Sequence, residues 1–341
     1  MLVQQLRDTA KAMVPPGKGI IAMDESTPTC DKRFQGVGIE STEPARRDYR
    51  DMLITTPGLS DYIAGAILFD ETIRQKLGDG TPFPKYMVNH GILPGIKVDK
   101  GAKDLAGHPN EKVTEGLDGL RERLEEYVGM GARFTKWRAV ITIGAGIPSP
   151  ACIEANAHAL ARYAALVQEA GLVPIVEPEV LINGDHSIAR CREVTDETLQ
   201  VVFDQLYKQG VLLQGMVLKP SMVISGLEAQ GRAGIQEVAE QTVSCLLNHV
   251  PAAVAGVAFL SGGQTNEEAT AHLNAMNTMG ENLPWPLTFS YARALQERPL
   301  ATWKGESANV TAAQKALHHR AKLNGAASQG KYAVAMEQEA A

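Results

Sequence analysis

Apolar runs rich in β-branched residues recur along the chain, each stopping at a polar or glycine-rich turn: 19–24, 63–70, 95–99, 133–140, 173–178, 215–219, 254–261 and 287–291. Within these runs the residues are apolar rather than strictly alternating, the pattern of strands buried on both faces of a parallel sheet. Between most of them lie stretches with helical spacing, clearest at 116–129, 151–171, 196–209, 236–248 and 266–279. Punctuation supports these helices. Ser149 precedes Pro150 as a cap before proline at the first helical position. Thr265 and Glu268 have capping-box spacing, and Gly171 and Gly210 fall where helices should end. Eight strand–helix units predict an α/β chain folded as a single (β/α)8 TIM barrel with a parallel eight-stranded core over residues 1–341. An open doubly wound sheet is the competing arrangement, but no Gly-x-Gly-x-x-Gly follows the first run. Residues 1–14 predict a short amphipathic helix, and the small, polar tail 331–341 is expected to be mobile.

Composition narrows the function classes. With 44% apolar and 21% charged residues the chain is ordinary for a soluble protein, and its net charge of −6 gives no footprint for nucleic acid or an anionic membrane. No stretch approaches the roughly 18 apolar residues of a membrane span, and the first 14 lack a signal-peptide core. Cys30, Cys152, Cys191 and Cys245 are isolated and read as reduced thiols, which predicts a cytoplasmic protein. The histidines show no ligand spacing, so no metal is expected; His158 and His272 are placed on outer helices without a catalytic role.

In a barrel, the C-terminal ends of the strands converge on one face. Lys219 closes the run Met216-Val217-Leu218-Lys219 and is followed by Pro220, which disfavours helix before it and should hold the lysine extended. A desolvated, fixed amine is a nucleophile for carbonyls. Asp24, Lys97, Lys136, Arg138, Glu177 and Glu179 occupy similar strand-end positions. Lys136 and Arg138 are two apart and should point the same way, with Trp137 opposite. Each has an ordinary alternative: Lys136 and Arg138 as structural partners of the two glutamates, Lys97 as a solvated loop charge, Asp24 as a helix cap. Together they favour a working site, because uncompensated buried charges cost several kcal/mol each.

Phosphate recognition has its own signal. Leu260-Ser261-Gly262-Gly263-Gln264 lies between the seventh run and a capped helix, where free backbone N–H groups can cradle an anion. Ser290 and Arg293 follow on the eighth run, and barrels often carry a phosphate site there. A second anion site is expected around Lys97, Arg138 and Ser26.

At these residues the sequence resembles a class I fructose-bisphosphate aldolase. The motifs are Gly95-Ile96-Lys97-Val98-Asp99-Lys100-Gly101, Lys136-Trp137-Arg138, Val176-Glu177-Pro178-Glu179, Leu218-Lys219-Pro220, Leu260-Ser261-Gly262-Gly263-Gln264 and Phe289-Ser290-Tyr291. The resemblance covers nearly the whole chain and implies reversible cleavage of fructose 1,6-bisphosphate to dihydroxyacetone phosphate and glyceraldehyde 3-phosphate, with no cofactor. It implies that Lys219 forms a Schiff base, Glu177 shuttles protons and Asp24 takes the hydroxyl proton that triggers cleavage. Lys136 would stabilise charge beside the reacting carbons, and Glu179 would hold that network. Ser261, Gly262 and Arg293 would bind one phosphate, Lys97 and Arg138 the other. It also implies a homotetramer.

The chain departs from the family pattern at Ala292, where glycine is usual, and at Asp70, often His in the familiar animal enzymes. Its last residues, Met336 to Ala341, lack the terminal tyrosine that assists proton exchange in those enzymes. Three other readings compete. One is an aldolase for fructose 1-phosphate or sedoheptulose bisphosphate. Another is a phosphosugar isomerase, which would not need the Lys219–Lys136 pair. The third is a binding scaffold, which would tolerate a degenerate site.

Overall fold

The structure, a computed structural model, describes residues 1–280 and 282–338. Eight parallel strands close into a barrel in chain order: Gly19–Met23, Ile63–Leu68, Leu93–Lys97, Phe134–Ile141, Val173–Val180, Val217–Leu218, Val257–Phe259 and Leu287–Tyr291. The eighth pairs with the first, Ser290 against Ile20 and Tyr291 against Ile21. The closed barrel expected from the apolar runs is therefore the observed one.

The element ends differ from the sequence pattern for local reasons. The sixth strand is only Val217–Leu218, because Pro220 has no N–H with which to continue a ladder. Lys219 is nonetheless pinned, its N–H donating to the Val176 carbonyl at 2.8 Å. The fifth strand runs past Pro178 to Val180, so Glu177 and Glu179 do share a face. The helix expected from 116 starts at Leu120, since Gly116 and Gly119 both have positive φ. The helix expected from 196 starts at Ile188, where the Ser187 hydroxyl accepts from the Arg190 N–H. Helices Thr27–Gln35, Glu43–Ile54 and Arg293–Trp303 lie beyond the expected ones, as does the hairpin of Ala102–Asp104 with Lys112–Thr114.

Inside the barrel, one end is apolar and the other charged. Ile20, Ala22, Ile67, Phe134, Val173, Ile175, Val217 and Ala258 cluster with Leu6, Ala10 and Met13 of the helix Leu2–Met13. That helix plugs the N-terminal end of the barrel. Phe134 fills the centre only because Gly95 has no side chain: a Cβ there would stand 2.2 Å from the ring. Alternate residues face the helical layer, where Trp137 packs on Tyr163 with ring centroids 5.4 Å apart.

The tail expected to be mobile makes defined contacts as far as it is described. Arg320, fully buried, donates to both carboxylate oxygens of Glu337 at 2.6 and 2.7 Å, and Tyr332 donates its hydroxyl to Glu337 at 3.0 Å. Residues 339–341 lie outside the described residues.

Candidate active site

At the C-terminal end of the strands lies a cavity of about 370 Å³. Asp24, Ser26, Lys97, Lys136, Arg138, Glu177, Glu179, Lys219, Ser261, Gly262, Ser290 and Arg293 all line it. The strand period explains the convergence. Lys136 and Arg138 point inward from the fourth strand while Thr135 and Trp137 between them meet Tyr163 of the helix Pro150–Glu169. Glu177 lies opposite Arg138 in the ladder, one strand over.

Four of these groups form a buried chain of alternating charge. The Asp24 carboxylate is 2.7 Å from Lys136 Nζ, which is 3.3 Å from Glu177 Oε2, and Glu177 Oε1 is 3.1 Å from Lys219 Nζ. Burial alone would raise Asp24, but Lys136, with Lys97 and Lys219 behind it, holds its carboxyl well below the usual carboxylate range. Glu177 is governed the same way: burial pushes up, and Lys136, Lys219 and Arg138 together bring it down. Lys136 is held protonated, burial being outweighed by Asp24 and Glu177. Asp24 is thus an ionised base in contact with a cation, and it caps no helix. Glu177 sits between the Lys136 and Lys219 Nζ atoms, where it can pass a proton either way.

Arg138 pairs with Glu179, so one of the ordinary alternatives is realised beside the chain of four. Arg138 is half-exposed at the rim, and its backbone N–H donates to Asp99 at 3.3 Å. Lys97 holds its ammonium 4.9 Å above the Phe69 ring centroid.

The other wall is built from the loop after the seventh strand. Gly262 has φ of +51°, a conformation that an L side chain adopts only with strain. Gly263 does not line the cavity; its Cβ position is 2.7 Å from Ile182, so it is needed for packing. Ser290 has a buried hydroxyl with no hydrogen-bond partner, facing the cavity. Ala292 takes φ −100° and therefore needs none of glycine's freedom. Asp70 lies apart from the cavity, accepting from Arg74 at 3.0 Å and Tyr127 at 2.8 Å.

Arg33 and Glu25 also line the cavity and were missed. They pair with each other, and Gln296 donates to the same Glu25 oxygen at 3.0 Å. The signal that could have found them is the spacing Asp24-Glu25-Ser26 ahead of a helix bearing Lys32 and Arg33. Among the described residues no cluster of three or more His, Cys, Asp or Glu side chains could hold a metal ion.

A parallel barrel whose charged mouth buries a lysine against a carboxylate defines an enzyme equipped to work on a carbonyl compound. The chain belongs to the class-I fructose-bisphosphate aldolase family, whose match spans residues 5–341; these are aldehyde-lyases acting on a phosphorylated sugar. It is 64% identical over 333 residues to a Xanthomonas campestris pv. campestris protein named probable fructose-bisphosphate aldolase class 1, covering 97% of this chain and 99% of that one. It is 51% identical over 331 residues to the fructose-bisphosphate aldolase of Dictyostelium discoideum, covering 96% and 92%. The aldolase of Plasmodium falciparum, solved with TRAP and a small-molecule inhibitor, superposes with a TM-score of 0.96 at 48% identity, covering 97% of this chain and 96% of that one.

Proposed function

We propose that this chain cleaves and re-forms fructose 1,6-bisphosphate through an imine on Lys219, with Glu177, Asp24 and Lys136 as the proton-handling groups. The observation that carries this reading is the buried Lys219–Glu177 contact at 3.1 Å in the same cavity as the Asp24–Lys136 pair at 2.7 Å.

In its free-base form the Lys219 amine attacks the C2 carbonyl. Glu177, having taken a proton from Lys219 to free that amine, returns it to the carbinolamine oxygen, which leaves as water, and a protonated imine remains. Asp24, ionised, removes the C4 hydroxyl proton; the C3–C4 bond breaks, its electron pair flows into the imine as an enamine, and glyceraldehyde 3-phosphate departs. Lys136, beside Asp24 and Glu177, stabilises the negative charge developing at the C4 oxygen. Protonation of the enamine at C3 and hydrolysis of the imine release dihydroxyacetone phosphate and regenerate the amine. Glu179 orients Arg138 through their ion pair.

Ser261, Gly262, Ser290 and Arg293 take the phosphate on the dihydroxyacetone side, and Lys97, Arg138 and Ser26 take the other. Gly263 is kept in the loop as a packing residue. The imine makes the lysine the electron sink, so the mechanism requires no metal. The enzyme works as a homotetramer in the cytoplasm; the four buried free cysteines support a reducing compartment, and gel filtration tests the subunit number.

Borohydride reduction in the presence of dihydroxyacetone phosphate and chelator, followed by peptide mass spectrometry, tests the mechanism. A reduced adduct on the peptide bearing Lys219 is expected. An adduct elsewhere moves the nucleophile, and no adduct on folded protein removes the imine.

A further inference from the structure

Gln264 is the knot of the loop that follows the seventh strand. Its side-chain Nε2 donates to the Ser261 carbonyl at 3.1 Å and faces Met222 Sδ at 3.7 Å. Its own carbonyl accepts from Arg293 Nη2 at 2.5 Å. Ser261 and Arg293 both line the cavity, so one glutamine ties together two of its anion-facing residues from different strands. With Nε2 spent on these two acceptors, the remaining amide oxygen needs a buried donor. That donor is His272, whose Nδ1 lies 2.6 Å from Gln264 Oε1 on the helix Asn266–Thr278. Both side chains are shut away from solvent, at 3% and 2% exposure. Since Oε1 can only accept, Nδ1 must carry the hydrogen.

We infer that His272 is a positioning residue for phosphate binding: by donating to Gln264 it sets the amide that holds Ser261 and, through the Gln264 carbonyl, the guanidinium of Arg293. Without a donor at this place the buried Gln264 oxygen is left unsatisfied, the amide rotates to find another partner, and the grip on the Ser261 carbonyl is lost. The imidazole is kept neutral by its burial, so it adds no charge to the site and acts through geometry alone. The inference rests on reading Ser261 and Arg293 as phosphate ligands.

Three variants of the full-length enzyme separate the possibilities: His272→Leu, which removes the donor; His272→Asn, whose Nδ2–H can occupy the place of Nδ1–H; and Arg293→Ala. Each is checked for its melting temperature and assayed for kcat and KM with fructose 1,6-bisphosphate. His272→Leu is expected to raise KM about tenfold with kcat within about twofold, the size of one lost buried hydrogen bond. His272→Asn is expected to restore most of it. A folded His272→Leu enzyme with wild-type KM overturns the inference, as does equal damage in the Leu and Asn variants. If Arg293→Ala leaves KM unchanged, the phosphate reading itself falls, a result distinguishable from the first two.

Discussion

Glu177 holds one carboxylate oxygen 3.1 Å from Lys219 Nζ and the other 3.3 Å from Lys136 Nζ. A single carboxylate therefore separates two lysine side chains that would otherwise face each other in a buried cavity. The second oxygen accepts no hydrogen bond, which leaves it free for a proton in transit.

Glu177→Gln preserves volume but cannot carry that proton. It is expected to lower kcat by about 10²–10⁴-fold, the usual weight of a positioned acid–base group. Trapping with borohydride should still label Lys219, only more slowly. Rapid-quench measurement of adduct formation checks this; labelling at the wild-type rate would remove Glu177 from the imine-forming steps.

Lys136 is the only cation in direct contact with Asp24 among the ion pairs of the described residues. Lys136→Met strands a buried carboxylate and should cost about 3–5 kcal/mol at neutral pH, seen as a lower urea midpoint. Because the Asp24 pKa is depressed in the folded state, its favourable contribution is fully present above the ordinary value near 3.8 and disappears as pH falls through the folded one. The stability gap between wild type and Lys136→Met should accordingly narrow on acidification below about pH 4. Adding Asp24→Asn should recover stability at neutral pH without recovering activity. A gap independent of pH would argue that the loss is packing alone.

Gly95 tests the barrel itself. Gly95→Ala puts a Cβ into the Phe134 ring, at 2.2 Å in the unrelaxed geometry, and should destabilise by about 1–3 kcal/mol. Phe134→Leu in the same chain should relieve part of that cost. Strict additivity of the two changes in thermal unfolding would show that the contact is not what excludes a side chain at this place.

Much of this was legible in the chain. The strand ends carry Lys97, Lys136, Arg138, Glu177 and Lys219 at positions where apolar runs give way to charge, and period two sends each inward. Arg33 and Glu25 leave a weaker trace than the strand-end charges, because the helix Thr27–Gln35 buries only Cys30 and Phe34 and shows little apolar face. The helix Arg293–Trp303 contains Pro299, which reads as a breaker in sequence. Gly263 belongs by motif to the anion loop, yet only packing against Ile182 and Leu227 reveals its different task. The tail looks mobile from its small residues; it is held by long-range contacts, Glu337 on Arg320 and the Tyr332 N–H on Asn274, which no local pattern encodes.

His272 should also leave a mark on the acid limb of stability. Burial lowers its pKa from 6.5 to about 4, against a raising contribution from Glu268 and with a further lowering one from Arg232. Between those values the unfolded chain binds a proton that the folded chain refuses, so stability is complete above about 6.5 and declines as pH falls toward about 4. The full effect is at most about 3 kcal/mol for this one group. His272→Asn has no titrating ring and should lose that part of the slope while keeping the hydrogen bond to Gln264. Urea unfolding of both proteins across pH 4–7 isolates the difference, since every carboxylate and the remaining histidines are common to the two. Parallel stability curves would mean that His272 titrates alike in folded and unfolded chains, and that its ring is not excluded from protonation by its burial.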